Sequence, residues 1–358
     1  MNFFNLTKKR AIGIDISDLS VKAVVLEKRN KETQIIFSSK LMLPNGSVEN
    51  GEIKNEQEVV GVVQKIFQKI KEEKKINIKK IAVSLPEEKS FIDVIKLPIL
   101  KEADRIDSMV SLEAENVVPL PLSDVYFDYE KIETTAKVAK CQEVILSACP
   151  QKTVDAYLNI FQKIGKLPVV MEVESFSIAR AITEKGFFYS PFMFVDFGQT
   201  RTTLAIFAGK NLRFTSTIPC SSGQLTKSIA TFFDVSPQAG EDLKVNEGLL
   251  GKKEVFEATI PFLNDMAQQI KHYIDYYKTH WAKCQEFPQA KLLKKILLCG
   301  EGSNLKGFGE FLSGELSVEV EKADCFSNIV NKKNNQNFSK ENFLGFATAI
   351  GLALKALE

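Results

Sequence analysis

The sequence is poor in the side chains that build metal centres and disulfide frameworks. It contains six cysteines and two histidines in 358 residues, and no two cysteines form a Cys-x-x-Cys pair. Zinc sites and disulfide-stabilised secreted domains place these residues at short, regular spacings. The scattered cysteines therefore predict no structural metal and no disulfide, and they are typical of reduced, buried thiols in a cytoplasmic protein.

Long apolar runs and an excess of one charge are missing as well. There is no run of 18 apolar residues that would predict a membrane-spanning helix, and the first ten residues lack the apolar segment of a signal peptide. The net charge is +2, and the lysine-rich stretch 71–80 has no interleaved aromatic residues, so nothing favours a nucleic-acid partner. With 44% hydrophobic and 26% charged residues, the chain is globular and long enough for two domains.

A polar turn between two apolar segments stands near the start of the chain. In residues 11–28, AIGIDISDLSVKAVVLEK, alternating apolar residues lead to Asp15, a turn follows at 17–20, and Lys22 lies in a second apolar segment. This pattern predicts a β-hairpin. The amides of such a turn can hold a phosphate, Lys22 can neutralise it, and Asp15 can hold Mg²⁺ through water. For a single copy, ordinary turn chemistry is the better explanation.

A second copy of the pattern changes that balance. Residues 193–208, MFVDFGQTRTTLAIFA, again place an aspartate, Asp196, between an apolar strand and a hydroxyl-rich turn. Each copy continues into a third strand-like segment, at 34–40 and 212–218, and then into an amphipathic helix. Two similar half-domains that each offer a phosphate-binding hairpin to a shared cleft are the pattern of the actin-like ATPases.

Two further segments fit the nucleoside side of such a cleft. The apolar segment 295–299 predicts a strand, and it is followed by the glycine-rich loop 300–307, whose amides can face a nucleobase and ribose. In the sequence EDLK, Glu241 and Lys244 stand one helical turn apart and can bracket a ribose and an adenine edge. The same spacing is also that of an ordinary surface ion pair.

The middle of the chain predicts an inserted α+β module at residues 81–150. Its predicted strands and helix are Ile81–Leu85, Phe91–Leu97, Glu102–Asn116, Val125–Ile132 and Glu143–Cys149. Pro119 and Pro121 stop the helix and enforce an extended backbone after it. Beyond the module, Leu167–Val173 predicts a buried strand and Glu174–Lys185 predicts a helix.

Taken together, these segments resemble the PilM family of actin-like proteins of type IV pilus assembly, over nearly the whole chain. The resemblance rests on IGIDISDLSVKAV at 12–24, EAENVVPLPLSDVYFDYE at 113–130, VDFGQTRTTL at 195–204, ILLCGEGSNLKGF at 296–308 and FATAIGLALK at 346–355. The second and the last of these are specific, because generic actin-like ATPases lack them. The cell-division protein FtsA is similar in architecture but normally continues into a linker and an amphipathic membrane helix. Because this chain stops at Glu358, the PilM family is favoured.

The resemblance implies an α/β, actin-like ATPase fold of two ribonuclease-H-like halves with a small FtsA-type α+β insertion. The implied domains are the first half at 1–78 and 153–188, the insertion at 79–152, the second half at 189–225 and 291–358, which includes the C-terminal helix, and a subdomain of the second half at 226–290. ATP and Mg²⁺ are the implied cofactors. The implied location is cytoplasmic, at the inner membrane, through binding of the N-terminal tail of a PilN-like membrane protein. Other pilus assembly proteins are also expected partners, and self-association is left open.

The resemblance also assigns roles to the site residues. Asp15 and Asp196 are placed near Mg²⁺. The residues assigned to the phosphates are Ser17, Ser20, Lys22, Gly198, Thr200 and Thr202. Those assigned to the ribose and base are Glu241, Lys244, Gly300, Gly302 and Ser303. Glu172 and Glu174 are the candidates for a catalytic carboxylate that positions water, although a strand-end carboxylate at the start of the next helix is an equally good explanation.

Two residues depart from the family pattern. Asp18 in the first turn would repel phosphates unless its side chain turns outward or joins the metal shell. Glu301 replaces a glycine in the third loop. We therefore expect ATP to act as a conformational ligand that is hydrolysed slowly or not at all. The alternatives are an FtsA-like cell-division protein and a kinase of the same superfamily, which would need a general base in a substrate pocket.

Overall fold

The computed structural model describes residues 8–30, 32–98, 106–132, 141–184, 190–209, 211–280, 293–330 and 343–358. The predicted helix ends Glu102 and Lys185, together with Cys284, lie outside these ranges. Within them, no helix combines the length and the apolarity needed to cross a membrane.

The first lobe is built on a five-stranded sheet. Its strands are β1 (Lys9–Ile16), β2 (Ser20–Arg29), β3 (Glu32–Met42), β6 (Lys80–Leu85) and β10 (Val170–Val173). They lie in the order β10-β6-β1-β2-β3. The first three form the predicted antiparallel meander, and β6 and β10 extend the sheet in parallel with β1. Two short strands, β4 (Val48–Glu49) and β5 (Glu52–Ile53), pair with each other.

Strand β1 is central and is covered on both faces, because successive side chains point to opposite sides of a sheet. Its three isoleucines share a core with α1 (Glu56–Lys74) and α3 (Gln151–Lys163). On the other face Ala11 shares a core with α4 (Glu174–Ile182) and α9 (Ala347–Leu357).

The second lobe repeats this arrangement. Its strands are β11 (Phe192–Phe197), β12 (Thr202–Ala208), β13 (Asn211–Ile218), β14 (Lys295–Cys299) and β15 (Glu319–Lys322), in the order β13-β12-β11-β14-β15. Again three antiparallel strands are followed by two parallel ones. Its helices are α5 (Ser222–Phe233), α6 (Pro237–Asn246), α7 (Lys253–His280) and α8 (Phe308–Leu316).

The C-terminal helix α9 lies so close to the first lobe that only glycine fits at two contacts. A Cβ atom on Gly13 of β1 would lie 2.0 Å from the carbonyl oxygen of Ala349, and one on Gly351 of α9 would lie 1.7 Å from that of Ser177. The core around α9 also contains Phe192 and other residues of the second lobe. The two lobes therefore share one apolar core, which fixes the hairpins relative to each other.

The insertion has a three-stranded antiparallel sheet in the order β7-β9-β8. Its elements are β7 (Phe91–Leu97), α2 (Ile106–Val117), β8 (Val125–Lys131) and β9 (Gln142–Pro150). Helix α2 covers the sheet through a core that includes Val110 and Ala114.

Two strand predictions in this region need correction. Strand β6, expected in the module as Ile81–Leu85, instead pairs in parallel with β1 of the first lobe, through the crossover helix α1. The predicted buried strand Leu167–Val173 begins only at Val170, and the side chains of Leu167 and Val169 are exposed. A short apolar segment does not by itself show whether its side chains are buried.

Candidate functional site

The first hairpin brings Asp15 and Lys22 together, because these residues stand directly opposite each other in the β1–β2 ladder. The turn between them is closed by its own hydrogen bonds. The Ser17 amide donates to the carbonyl oxygen of Ser20 at 3.0 Å, and the Ser17 hydroxyl donates to the same oxygen at 3.0 Å. The two hydroxyls lie 3.3 Å apart. Both predicted phosphate-binding serines therefore also shape the turn.

Asp15 and Asp196 occupy equivalent positions at the ends of β1 and β11. Burial raises the pKa of both carboxyls, to about 6 for Asp196, while the charge of Lys22 opposes this rise. Ser84 of β6 donates a hydrogen bond to Asp15 at 3.1 Å. The charge of Asp15 is also among the groups that raise the pKa of Asp196.

Asp15, which is buried, and Asp196, which is partly exposed, fit a hydrated Mg²⁺, because this ion is usually bound by one or two carboxylates and keeps several waters. In the described part of the chain, no group of three or more histidine, cysteine, aspartate or glutamate side chains is arranged to enclose a metal. Asp15 and Asp196 are the residues that would hold the ion, and Lys22 stands opposite Asp15 in the β1–β2 ladder.

Arg201, in the turn of the second hairpin, is the centre of an ionic network. Its guanidinium nitrogens lie 3.0 Å from Glu88, 3.1 Å from Glu174 and 3.8 Å from Asp18. Burial alone would lower the pKa of Arg201, but the surrounding carboxylates, led by Glu174, raise it above its ordinary value. Arg201 of the second lobe therefore bridges to the first turn, to the loop after β6 and to the start of α4.

Two partners hold the carboxylate of Asp18. One of its carboxylate oxygens accepts a hydrogen bond from the Gly51 amide at 3.0 Å, and the other faces Arg201. The side chain is buried and does not point out to solvent, and Arg201 of the second hairpin balances its negative charge. Beside the network, a cavity of about 390 Å³ is lined by Asp18, Glu88, Thr200 and Arg201 among others.

A second ionic contact crosses the cleft at Glu301. Its carboxylate lies 3.3 Å from the ammonium of Lys22 and 2.6 Å from that of Lys40. Although burial raises the pKa of Glu301, the two lysines outweigh it and hold that pKa below its ordinary value. The residue that departs from the family pattern thus pairs with the lysine predicted to bind phosphate.

The predicted nucleoside-side pair forms and is partly buried. Lys244 lies 2.7 Å from Glu241 and donates at 2.8 Å to the hydroxyls of Ser222 and Thr226. Burial lowers the pKa of Lys244, and Glu241 opposes that effect. The second hairpin positions this group, because the Ser222 amide donates to the carbonyl oxygen of Gly198 at 2.9 Å.

Two glycines of the third loop lie so close to the second hairpin that a larger side chain would not fit. A Cβ atom on Gly300, where φ is +82°, would lie 2.5 Å from a carboxylate oxygen of Asp196. One on Gly302 would lie 2.7 Å from the carbonyl oxygen of Phe197. The Ser303 hydroxyl donates to the carbonyl oxygen of Cys299. The structure therefore brings the third loop next to Asp196, as the proposed site requires.

The remaining predicted residues have different surroundings and different partners. Thr202 is buried, and its hydroxyl donates to the carbonyl oxygen of Cys220 at 2.6 Å, whereas Thr200 is exposed beside the cavity. Glu174 is buried and paired with Arg201, and its pKa is raised well above the ordinary value by burial. Glu172 instead forms a two-point contact with Arg180, at 2.7 Å for each oxygen.

Sequence reasoning missed Arg201, Lys40, Ser84 and Glu88. A signal for Arg201 was present, since an arginine between threonines is unusual in an apolar, hydroxyl-rich hairpin. Lys40 could have been found by continuing the hairpin register by one strand, because it stands opposite Lys22 in the β2–β3 ladder. Nothing in the local sequence of Ser84 or Glu88 places them next to the hairpins.

Comparison with known proteins identifies the family. The family model described as type IV pilus assembly protein PilM matches residues 13–357. The chain belongs to this family. It therefore has a role in type IV pilus assembly, and the predicted resemblance is confirmed.

Individual proteins agree with this membership. Cell division protein FtsA of Streptococcus pneumoniae is 23% identical over 360 residues, which cover 86% of this chain and 74% of that protein. The solved PilM–PilN type IV pilus biogenesis complex matches with a TM-score of 0.78 and 21% identity over 97% of this chain and 98% of that one. MreB5 of Spiroplasma citri, solved bound to ADP, matches with a TM-score of 0.54 and 11% identity over 95% and 94%. The predicted actin-like ATPase fold is confirmed.

Proposed function

We propose that this protein is an ATP-binding scaffold of the type IV pilus inner-membrane assembly platform, and that it docks the N-terminal tail of a PilN-like membrane protein. The observation that carries the proposal is the family match over residues 13–357, together with the likeness to a PilM–PilN complex over nearly the whole chain.

Nucleotide binding is supported by the arrangement of the cleft. The carboxylates of Asp15 and Asp196 and the neighbouring Lys22 provide opposite charges for a hydrated Mg²⁺ and for phosphates. Glu241 and Lys244 provide a polar pair beside the second hairpin. An MreB protein with the same fold holds ADP in its solved structure. When bound, the ion would balance the negative charge of the two carboxylates, and the phosphates of the nucleotide would balance the positive charge of Lys22.

Rapid hydrolysis is not supported by the candidate carboxylates. A water-positioning residue needs a carboxylate that is available to the water it orients. Glu174 faces Arg201 and Glu172 faces Arg180, so both are engaged in ion pairs. We therefore expect turnover far below the roughly 1–100 per second of typical kinases. A rate in that range would favour the kinase alternative instead.

Tail docking is supported by the insertion. Large apolar side chains are exposed at Leu112, Leu120 and Tyr126, all within or next to the family-specific segment 113–130. Strand β8 is an edge strand of the module sheet in the described residues, so an extended tail can add main-chain hydrogen bonds there while its side chains enter pockets. The segment carries more acidic than basic residues, which favours a basic tail.

The test is a binding titration with a synthetic peptide that corresponds to the N-terminal tail of a PilN-like membrane protein. Leu112→Ser is the test variant, and Leu250→Ser is the matched control, because Leu250 is exposed on the second lobe. We expect the first change to weaken peptide binding about tenfold or more, as for a central apolar contact, and the second to leave it unchanged. Equal binding by both variants and the unchanged protein would contradict docking at the insertion.

A further inference from the structure

Three charged side chains form a row across the first hairpin. Asp15 of β1 stands opposite Lys22 of β2, and Lys22 stands opposite Lys40 of β3. Side chains directly opposite each other in an antiparallel sheet lie on the same face, with Cβ atoms about 5 Å apart. The row therefore runs from the candidate metal position to a lysine pair one strand farther out.

The two lysines of this row favour an anion between them. Like charges that face each other across antiparallel strands destabilise the sheet. Here the carboxylate of Glu301 from the second lobe lies between them, at 3.3 Å from Lys22 and at 2.6 and 2.8 Å from Lys40. The lysine pair is thus arranged as an anion site, and a carboxylate of the same chain satisfies it.

The position of this carboxylate is set by the fold. The backbone at Gly300 has φ of +82°, which turns the chain towards the cleft. The stem of Glu301 packs on Gly345, where a Cβ atom would lie 2.5 Å from Cγ of Glu301. These two features therefore fix the direction in which the Glu301 side chain extends towards the lysines.

We propose that Lys22 and Lys40 form a phosphate-binding site for the nucleotide, and that Glu301 is a built-in competitor that occupies this site until a phosphate displaces it. The inference rests on the proposed function, which supplies the ligand class, and adds Lys40 and the competition to it. A phosphate group carries more charge and more acceptor oxygens than one carboxylate, so it forms stronger charge-assisted hydrogen bonds. Its binding also releases one of the contacts between the lobes.

The test uses inorganic pyrophosphate and the full-length protein in calorimetric titrations at constant ionic strength. We expect Glu301→Gln to bind pyrophosphate about tenfold more tightly, because removing a charged competitor frees two charge-assisted contacts. Adding Lys40→Gln to that variant should reverse most of the gain. Glu310→Gln, which removes an exposed carboxylate of α8, is the matched control and should behave as the unchanged protein. Both Glu301 and Lys40 are about one-third exposed, so thermal denaturation should show folded variants.

Equal pyrophosphate affinity of Glu301→Gln and the unchanged protein would overturn the inference, and so would a gain that survives Lys40→Gln. A parallel titration with ATP–Mg²⁺ distinguishes a failure of this inference from a failure of the proposed nucleotide function. If pyrophosphate follows the expected pattern while ATP binds to no variant, the anion site stands and the proposed nucleotide function fails. If ATP binds while Glu301→Gln changes neither affinity, the nucleotide function stands and the competition is wrong.

Discussion

The Asp196→Asn substitution tests whether the candidate metal site destabilises the fold when no metal is bound. Burial raises the pKa of Asp196 from 3.8 to about 6. This rise of about two units corresponds to about 3 kcal/mol at about 1.36 kcal/mol per unit. Because the folded state binds this proton more tightly than the unfolded state, stability falls as the pH rises from about 4 to about 6, and the loss is complete above that window.

Asparagine keeps the size of the side chain and removes the charge. We expect Asp196→Asn to raise the free energy of unfolding by about 1–3 kcal/mol at pH 7.5, and this gain should shrink as the pH falls towards 4. Urea denaturation without nucleotide or Mg²⁺, at several pH values, measures both effects. Asp242→Asn is the control, since it removes an exposed carboxylate from α6. A variant less stable than the unchanged protein at pH 7.5, or a difference independent of pH, would refute the reasoning. The same variant should lose Mg²⁺-dependent nucleotide binding.

Three further predictions concern packing, the nucleoside side and the cysteines. Gly13→Ala should destabilise the protein by about 3 kcal/mol or more, because its Cβ atom would collide with α9. Gly61→Ala should instead stabilise it by about 0.5–1 kcal/mol, because Gly61 of α1 faces open space. Thermal melts of the two variants measure the difference, and equal shifts in melting temperature would contradict the packing argument. Lys244→Met should weaken ATP binding about tenfold without affecting pyrophosphate, and unchanged ATP affinity in calorimetry would remove Lys244 from the site. Chelator and reductant should leave the nucleotide-free melting temperature unchanged; a large drop with either would show a structural metal or a disulfide.

Local patterns were enough to predict most elements of the lobes. The helix expected after the second hairpin forms at Ser222–Phe233, and the strand at 295–299 occurs as expected. Both hairpins form with their aspartates at equivalent positions. These elements are specified by side-chain periodicity and by turn residues within the segment itself. The second hairpin mattered most, because its repetition of the first indicated two similar halves.

Contacts between distant segments could not be predicted in the same way. Strand β6 pairs with β1 across a crossover that contains α1, and no local signal reports that parallel partner. The Arg201 network joins residues from the two lobes, so it depends on how the lobes pack. The doubt about Asp18 had the same origin, since its partner Gly51 lies outside the turn. The candidate site was therefore predictable as a set of residues but not as a set of ion pairs.

The central claim is that this protein binds both a nucleotide and the tail of a membrane protein, and that the two binding events are coupled. The most direct measurement is therefore the Kd of the PilN-like tail peptide with and without saturating ATP–Mg²⁺. Two sites coupled through the closure of one cleft typically change each other's affinity by about 5–150-fold. We predict a change in that range, and its loss in Asp196→Ala, which removes a carboxylate proposed to hold the ion. Tail binding with the same Kd in both conditions, in a protein shown to bind ATP, would contradict the claim.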